Sequence, residues 1–210
     1  MIDDPLYPVH LRLAGRRCLV VGGGRVATRK SRGLLDCGAV VTVVAPDVGD
    51  ELARLDGVTC ERRPYRSGDV AGYRLAVAAT GDPEVDGEVF RDGERLGVWV
   101  NAADDPDHCS AVLPAVVRRG PLVATFSTSG RSPAMATWLR RRYEAEFGPE
   151  HLLLLDLLAE ERDRLRRDGR PTEGLDWQRA LDSGMLDLVR GGNLAEAKER
   201  LEACLSSSSG

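Results

Sequence analysis

One stretch constrains the fold of this chain more than any other: Arg17–Ala27, with the sequence R-C-L-V-V-G-G-G-R-V-A. It starts with an uncharged run rich in β-branched residues, Cys18–Val21, which predicts a strand buried on both faces of a parallel sheet. Three glycines follow, and Arg25–Cys37 then has helical spacing up to Gly38. The spacing puts four residues on one side of this predicted helix: Val26, Lys30, Leu34 and Cys37.

The strand, turn and helix together contain the pattern G-x-G-x-x-A as Gly22, Gly24 and Ala27. The first glycine permits a tight turn, the second lets a pyrophosphate approach the backbone, and the alanine lets the helix pack closely on the strand. The first N–H groups of the helix then point at the phosphates. The pattern predicts a dinucleotide site, with a glycine-rich turn that binds no ligand as the alternative.

Further uncharged runs alternate with helical segments. The predicted strands are Val40–Val44, Val58–Glu61, Leu75–Ala79 and Val98–Val100, and the predicted helices pass through Leu52 and Leu55 and cover Pro83–Leu96. This alternation predicts an α/β fold with a Rossmann-like, doubly wound parallel sheet. The carboxyl ends of its strands carry the glycine turn, Ala45–Asp47, Thr80 and Asn101, so we expect the ligand crevice there.

The end of the second strand bears on the choice of cofactor. Nicotinamide-binding folds usually place an acid here for the ribose hydroxyls. The nearest carboxylate is Asp47, displaced past Pro46, and no arginine suited to a 2′-phosphate stands at this position. NAD is therefore favoured over NADP.

The pattern changes after Asn101. Val112–Val117 and Leu122–Phe126 are predicted to pair as a hairpin, followed by a loop with Ser127, Thr128, Ser129, Gly130 and Arg131. Ser132 and Pro133 suit the start of a helix that runs to Phe147. The hydroxyls, the helix N–H groups and Arg131 together fit an anion, with an ordinary capped helix as the alternative.

From His151 onward the chain is predicted to be helical. We expect the buried, apolar run Leu152–Leu155 to pack against another element or a second subunit. The expected domains are 1–112 for the sheet, 113–147 for a small α+β segment, 148–205 for a helical domain and 206–210 for a tail.

Composition excludes several classes of function. A net charge of −4 argues against a general nucleic-acid binder, and the longest uncharged stretch, Gly120–Gly130, is too short to span a bilayer. The start of the chain, with Asp3 and Asp4, is unlike a secretory signal. Five scattered cysteines without a C-x-x-C pair indicate reduced thiols and no metal site, so we expect a cytoplasmic protein without a membrane partner.

Five motifs together resemble the precorrin-2 dehydrogenase and siroheme synthase family. They are Tyr7-Pro8, Val20–Lys30, Ala78–Thr80, Asn101–Pro106 and Ser127–Ala136. The resemblance implies an NAD-binding domain, a central dimerisation segment that makes a homodimer, and a helical C-terminal domain. Because no methyltransferase module follows, the chain resembles the stand-alone form of the family.

The resemblance also implies roles for individual residues. NAD is held by Gly22, Gly23, Gly24, Arg25 and Val26 and by Ala45, Pro46 and Asp47, with Thr80 at the neighbouring strand end. Asp104 matches the aspartate held to act in dehydrogenation and, in bifunctional members, in iron insertion. The expected contacts for precorrin-2 or sirohydrochlorin are Asn101, Ser127, Thr128, Arg131 and Ser132. Thr128 stands where some members carry serine, and Lys30 is interpreted as structural.

Several alternatives stay open at this point. Asp104 is also compatible with a solvated turn acid beside Asp105 and Asp107, and His108 with an ordinary surface histidine. A non-catalytic NAD-sensing module is the second class of function, and Fe²⁺ as a substrate is undecided. A short-chain oxidoreductase is disfavoured, because none of the tyrosines has a lysine four residues later.

Overall fold

A five-stranded, all-parallel sheet dominates the first half of the chain in a computed structural model that describes residues 5–206. The strands are β1 Arg17–Val21, β2 Val40–Ala45, β3 Val58–Arg62, β4 Leu75–Ala78 and β5 Trp99–Ala102. Their order in the sheet is β3-β2-β1-β4-β5, so the direction of winding reverses between β1 and β4. This order confirms the predicted Rossmann-like fold and puts its topological switch point, where folds of this class usually bind ligands, at the carboxyl ends of β1 and β4.

Helices cover both faces of the sheet. Three lie in this part of the chain: α1 Arg25–Leu35, α2 Asp50–Ala53 and α3 Pro83–Leu96. Alternate residues of β1 enter different cores, Cys18 and Val20 with α1 and α2, and Leu19 and Val21 with α3. Burial on both faces explains why β1 is apolar without alternation.

The inner face of α1 differs from the one predicted by spacing. The buried residues are Ala27, Thr28, Ser31 and Leu34, whereas Val26 and Lys30 are only partly buried. The small side chain of Ala27 lets α1 approach the strands closely at this position. Ser31 and Leu34, one and two turns later, are buried on the same face. Lys30 is left at the side of the helix.

Local signals set the ends of α3 where the sequence predicted them. Asp82 accepts a hydrogen bond from the N–H of Glu84 at the start, and Gly97 adopts φ 67° at the end. The last parallel strand is shifted, because β5 begins at Trp99 and ends at Ala102. Asn101 therefore lies inside the strand, where its side chain is buried.

A hairpin and further helices complete the described residues. The antiparallel strands are β6 Ala115–Arg119 and β7 Leu122–Phe126, and the helices are α4 Pro133–Glu146, α5 Pro149–Arg167, α6 Trp177–Ala180, α7 Leu186–Arg190 and α8 Leu194–Ser206. A 3₁₀ turn covers Pro106–His108 and a π-helical turn covers Leu181–Met185. The first strand of the hairpin thus starts three residues later than predicted.

The helical region has its own core around Leu165, Met185 and Leu201. In the predicted buried run of α5, Leu154 is buried but Leu153 is exposed. Ser206 is the last residue of α8, so it does not belong to a tail, and the rest of the predicted tail lies outside the described residues, as do Asp3 and Asp4. Within residues 5–206, no helix is long and apolar enough to cross a membrane.

The chain divides into two compact units. Within residues 5–206, one contains residues 5–114 together with Ser127–Pro133, and the other contains Ala115–Phe126 together with residues 134–206. The loop that carries Ser127–Ser132 thus belongs to the same unit as the parallel sheet. The domain boundaries expected from the sequence stay predictions.

Candidate functional site

Gly22 ends β1 in a conformation that the fold requires. Its φ of 122° is one that residues with a side chain rarely adopt, and a Cβ here would overlap the carbonyl oxygen of Ala79. Its N–H donates to the carbonyl of Val44 over 2.9 Å. Gly22 therefore brings the ends of β1, β2 and β4 together, as the predicted tight turn implies.

Gly23 serves the contact between two loops. A Cβ at this position would overlap the carbonyl oxygen of Asp47, and the Gly23 carbonyl accepts a hydrogen bond from Gly49 N over 3.0 Å. The structure thus explains Gly23 by the close approach of the loop after β2. Its expected contact with the cofactor stays a prediction.

Gly24 has open space where its neighbours have none. It is the N-cap of α1, with φ −89°, and no atom lies within 4 Å of a Cβ built on it. Among the described residues, no side chain caps the first turn of α1. The N–H groups of Arg25 and Val26 begin a helix whose positive dipole end faces this space, so the turn fits a pyrophosphate group.

The loop after β2 lies at the same edge of the sheet. Ala45 is buried, whereas Pro46 and Asp47 are exposed, as a residue that contacts a ribose requires. An arginine from the neighbouring strand also reaches this loop. Arg62 pairs with Ala45 in the sheet register, and its Nη1 donates to the carbonyl oxygen of Val48 over 3.3 Å. This guanidinium comes from β3, so the residues around Asp47 gave no signal of it.

Thr80 is brought to the glycine turn, but its hydroxyl has a partner. Its backbone nitrogen would lie 3.2 Å from a Cβ on Gly22. Its Oγ1 donates to the buried Asp86 carboxylate over 2.7 Å, and its backbone N–H donates to the same oxygen over 3.2 Å. Thr80 therefore holds the start of α3, and its predicted contact with the cofactor stays untested.

Asn101 joins three parts of the site. Its Nδ2 donates to the carbonyl of Ala111 over 3.0 Å and lies 3.5 Å from the sulfur of Cys109. Its Oδ1 accepts a hydrogen bond from Nζ of Lys30 over 3.3 Å. Since both ends of the amide have protein partners, Asn101 orients its neighbours, and its predicted contact with substrate stays untested.

Asp104 lies exposed just beyond β5 in a conformation that few residues other than glycine adopt. Its φ is 63°, in the left-handed region that aspartate tolerates better than most residues. Non-glycine residues held in this region cluster at functional sites. The conformation is compatible with the predicted catalytic role of Asp104.

The acids that follow Asp104 are not equivalent. Nδ1 of His108 lies 2.6 Å from Oδ2 of Asp105, and this hydrogen bond lowers the pKa of the Asp105 carboxyl despite the opposing effect of burial. The His108 ring also packs edge-on against Phe90. Asp105 is thus not a purely solvated neighbour, whereas Asp107 is exposed and makes a backbone hydrogen bond to Asp105.

The loop before α4 is shaped by its own hydroxyls. Oγ1 of Thr128 accepts a hydrogen bond from Ser132 N over 3.1 Å, and the Thr128 carbonyl accepts one from Arg131 N over 2.9 Å. Ser127 Oγ accepts one from the N–H of Ser129, whose φ is 51°. Arg131 is exposed at the tip of this turn.

No metal centre is evident in residues 5–206, because no three Cys, His, Asp or Glu side chains gather closely enough to hold an ion. The candidate site consists of the glycine turn, the Asp47 loop and the segment around Asn101 and Asp104, all on one edge of the sheet. The spacing of residues in the sequence did not predict that Lys30 and Arg62 reach this edge of the sheet. The hydrogen-bond partner of each lies at least 14 positions away in the sequence.

Comparison with known proteins assigns the first half of the chain to a family. Residues 9–115 match the family described as "Putative NAD(P)-binding". A siroheme synthase of Azotobacter vinelandii is 38% identical over 205 residues, which are 95% of this chain and 44% of that protein. A siroheme synthase of Pseudomonas putida is 37% identical over 202 residues, 93% of this chain and 43% of that protein. The chain thus spans less than half the length of these curated relatives.

A solved structure matches along its whole length. The precorrin-2 dehydrogenase SirC superposes with a TM-score of 0.68 and 26% identity, covering 94% of this chain and 100% of that one. The match extends past the sheet into the hairpin and the helical region, because the sheet alone is about half of this chain.

Proposed function

Because this chain belongs to the NAD(P)-binding family of the siroheme synthases and precorrin-2 dehydrogenase, we propose that it oxidises precorrin-2 to sirohydrochlorin with NAD, a step of siroheme synthesis. The observation that carries the proposal is Asp104, an exposed carboxylate in a left-handed conformation at the carboxyl edge of the sheet. Asp104 lies at the same edge of the sheet as the glycine turn.

The chain's own groups suit the cofactor. The open space at Gly24 and the first N–H groups of α1 receive the pyrophosphate, and Asp47 is accessible to a ribose. When bound, NAD supplies the acceptor for a hydride. The glycine turn orients NAD at the carboxyl edge of the sheet, and Asp104 comes directly after the last strand at that edge.

Asp104 is proposed to take the proton. Oxidation of precorrin-2 removes one hydrogen as a hydride and one as a proton, so a base is needed beside the reacting carbon atoms. A carboxylate performs this role when it lies within hydrogen-bond reach of the proton. Asp104 is exposed and reachable from solvent, as a group that contacts a large substrate must be.

The loop Ser127–Ser132 is proposed to hold the carboxylates of the substrate. Precorrin-2 carries several acetate and propionate groups, and a guanidinium binds such groups in a bidentate manner. Arg131 is exposed, and the Thr128 hydroxyl retains its proton as a donor after accepting from Ser132. The loop belongs to the same compact unit as Asp104, which supports a shared site.

An anaerobic assay of precorrin-2 with NAD tests the proposal. Asp104→Asn keeps the size of the side chain and tolerates the left-handed conformation, but it removes the base. We expect turnover to fall by roughly 10²- to 10⁴-fold, the usual contribution of a general base. The affinity for NAD is expected to stay within about twofold, since a neutral amide leaves the Gly24 pocket unchanged.

Asp107→Asn is the matched control, because Asp107 is exposed and lies in the same segment. Near wild-type turnover in Asp104→Asn would refute the role of Asp104. Binding of NAD by the wild-type chain without any oxidation would instead support the alternative, an NAD-sensing module.

Iron insertion is a separate proposal that rests on the same aspartate. The assay is repeated with sirohydrochlorin and Fe²⁺, where the iron is a substrate. Loss of both activities in Asp104→Asn supports a shared centre, and loss of dehydrogenation alone assigns Asp104 only to the first reaction. A wild-type chain without metal insertion removes the proposal.

We further propose that the chain forms a homodimer through the hairpin and α4. Met135 and Trp138 on α4 are about half exposed, and Val116 on β6 is 40% exposed. Such apolar surface is typical of an interaction site. The five cysteines form no disulfide among the described residues, and this supports the proposal of a cytoplasmic setting, where thiols stay reduced.

A further inference from the structure

The segment that carries Asp104 is a loop whose two ends are joined by hydrogen bonds. Asn101 and Cys109 face each other as an isolated antiparallel bridge. Beside this bridge, Oγ of Ser110 accepts a hydrogen bond from Val100 N over 2.8 Å, and the Val100 carbonyl accepts one from Ser110 N over 2.9 Å. The chain therefore leaves β5 and returns to it, which fixes both ends of the loop between them.

The thiol of Cys109 makes hydrogen bonds inside this loop. Its sulfur donates to the carbonyl oxygen of Ala102 over 3.3 Å and to that of Asp105 over 3.2 Å. A thiol has one proton, so the two carbonyls share it in a three-centre hydrogen bond. One side chain thus bridges two peptide groups, one before Asp104 and one after it.

The bridge requires a neutral thiol. A thiolate has no proton to donate, and its charge would be repelled by the two carbonyl oxygens. Cys109 is half-buried, and burial raises the pKa of its thiol, although the hydrogen bond to the Ala102 backbone acts in the opposite direction. The sulfur of Cys109 therefore keeps its proton at neutral pH.

Asp104 lies between two anchored parts of the backbone. On the side of β5, Ala103 N donates to the carbonyl of Ala78 on β4 over 2.8 Å. On the other side, Cys109 holds the carbonyl of Asp105. Between these anchors Asp104 adopts φ 63°, a conformation that costs free energy for a residue with a side chain and persists only where surrounding contacts offset the cost.

We propose that Cys109 is a positioning residue of the dehydrogenation, whose thiol holds Asp104 in the left-handed conformation that presents its carboxylate to the substrate. The inference rests on the proposed role of Asp104 as the proton acceptor. Cys109 itself contacts neither substrate nor cofactor and exchanges no proton in the reaction. Without the thiol, Asp104 leaves this conformation, whereas the glycine turn keeps its own hydrogen bonds to Val44 and Gly49.

Two substitutions of Cys109 test the hydrogen bond, because alanine and serine differ only by a hydroxyl that can donate. At a positive φ the amide proton lies unusually close to the Hα of the same residue, which gives a strong intraresidue NOE in NMR spectra of labelled protein. We expect Asp104 to lose this strong NOE in Cys109→Ala and to keep it in Cys109→Ser.

The anaerobic assay with precorrin-2 and NAD measures the effect on the reaction. For Cys109→Ala we expect kcat to fall roughly 10- to 100-fold, as for a reacting group displaced by about 1 Å. The KM for precorrin-2 and the affinity for NAD are expected to stay within about twofold, because an interaction that acts on the proton acceptor alone changes kcat. Cys109→Ser is expected to restore most of kcat.

Cys60→Ala is the matched control. Cys60 is also a half-buried thiol of the same compact unit, but it lies on β3, at the opposite edge of the sheet from β5. We expect this variant to leave both kcat and the NOE of Asp104 unchanged. The melting temperature of every variant is measured. If Cys109→Ala does not fold, Cys109→Val replaces it, since valine fills the space of the sulfur without a donor.

The outcomes distinguish this inference from the proposed function. The inference is refuted if the variant without a donor keeps kcat, if it loses kcat while Asp104 keeps its strong NOE, or if Cys109→Ser is as impaired as Cys109→Ala. In each of these cases an inactive Asp104→Asn leaves the proposed function standing. If Asp104→Asn keeps its activity, the proposed role of Asp104 fails, whatever the Cys109 variants show.

Discussion

Gly24 is the residue of the glycine turn at which a side chain meets nothing in the protein. Gly23, by contrast, has the Asp47 carbonyl where its Cβ would be. The two adjacent glycines therefore have different roles: the fold requires Gly23, whereas Gly24 leaves room for a ligand. A substitution at each position therefore separates folding from binding.

We predict that Gly24→Val weakens NAD binding by about tenfold or more, because its side chain would occupy the space of the pyrophosphate. The melting temperature should stay close to that of the wild type, since φ −89° is compatible with a side chain. Calorimetric titration with NAD and thermal unfolding measure the two effects. Gly23→Ala is the comparison, and it should lower the melting temperature. Unchanged NAD affinity in Gly24→Val would mean that the site lies elsewhere.

At the scale of elements, one buried carboxylate joins the loop 63–74 to α3. Asp92 accepts hydrogen bonds from the hydroxyls of Tyr65 and Ser67, from Gly68 N and from the Arg95 guanidinium. Burial of the carboxyl opposes its ionisation, but these hydrogen bonds outweigh burial and hold the pKa of Asp92 at about 2. The segment between β3 and β4 contains no helix that packs on the sheet, so its hydrogen bonds to Asp92 hold it against α3 instead.

We predict that Asp92→Asn lowers the free energy of unfolding at pH 7 by about 2 kcal/mol, as expected for a charged group with several donors. The folded-state pKa is depressed, so the wild-type contribution is complete above pH 4 and is lost as the pH falls toward 2. Urea unfolding between pH 7 and pH 2 measures this dependence, and the Asn variant should lack it. Glu94→Gln, exposed on the same helix, is the control. Equal pH dependence in both variants would contradict the role of Asp92.

At the scale of the whole molecule, the role of the apolar surface of α4 in the proposed homodimer can be tested by substitution. Trp138 is 53% exposed, and Trp99, at the start of β5, is 54% exposed. The two tryptophans are therefore matched in exposure but lie in different compact units. Only Trp138 lies in the segment proposed for dimerisation.

We predict that wild-type protein has the mass of a dimer in light scattering at micromolar concentration, and that Trp138→Glu shifts it to a monomer. A carboxylate buried in an interface pays for desolvation without a partner, which weakens the association strongly. Trp99→Glu should leave the dimer intact. A monomer mass for the wild type, or equal effects of both substitutions, would reject this surface.

Local features of this site were predictable because a few neighbouring residues decide them. The turn at Gly22 follows from its own neighbours, and α3 begins and ends where Asp82 and Gly97 indicate. The inner face of α1 was not predictable from apolar spacing, since Ala27 and Ser31 are small and one of them is polar. Their burial depends on how closely the helix approaches the sheet, which spacing does not describe.

The sequence by itself determined the class of fold, the order of strands and helices along the chain and the position of the glycine turn, because backbone preferences and side-chain burial patterns act over a few residues. The tertiary structure alone decided which groups meet at the edge of the sheet. The order β3-β2-β1-β4-β5 places Arg62 beside Ala45, and the packing of α1 near β5 brings Lys30 to Asn101. These contacts join distant parts of the chain, so only the arrangement of the folded strands specifies them.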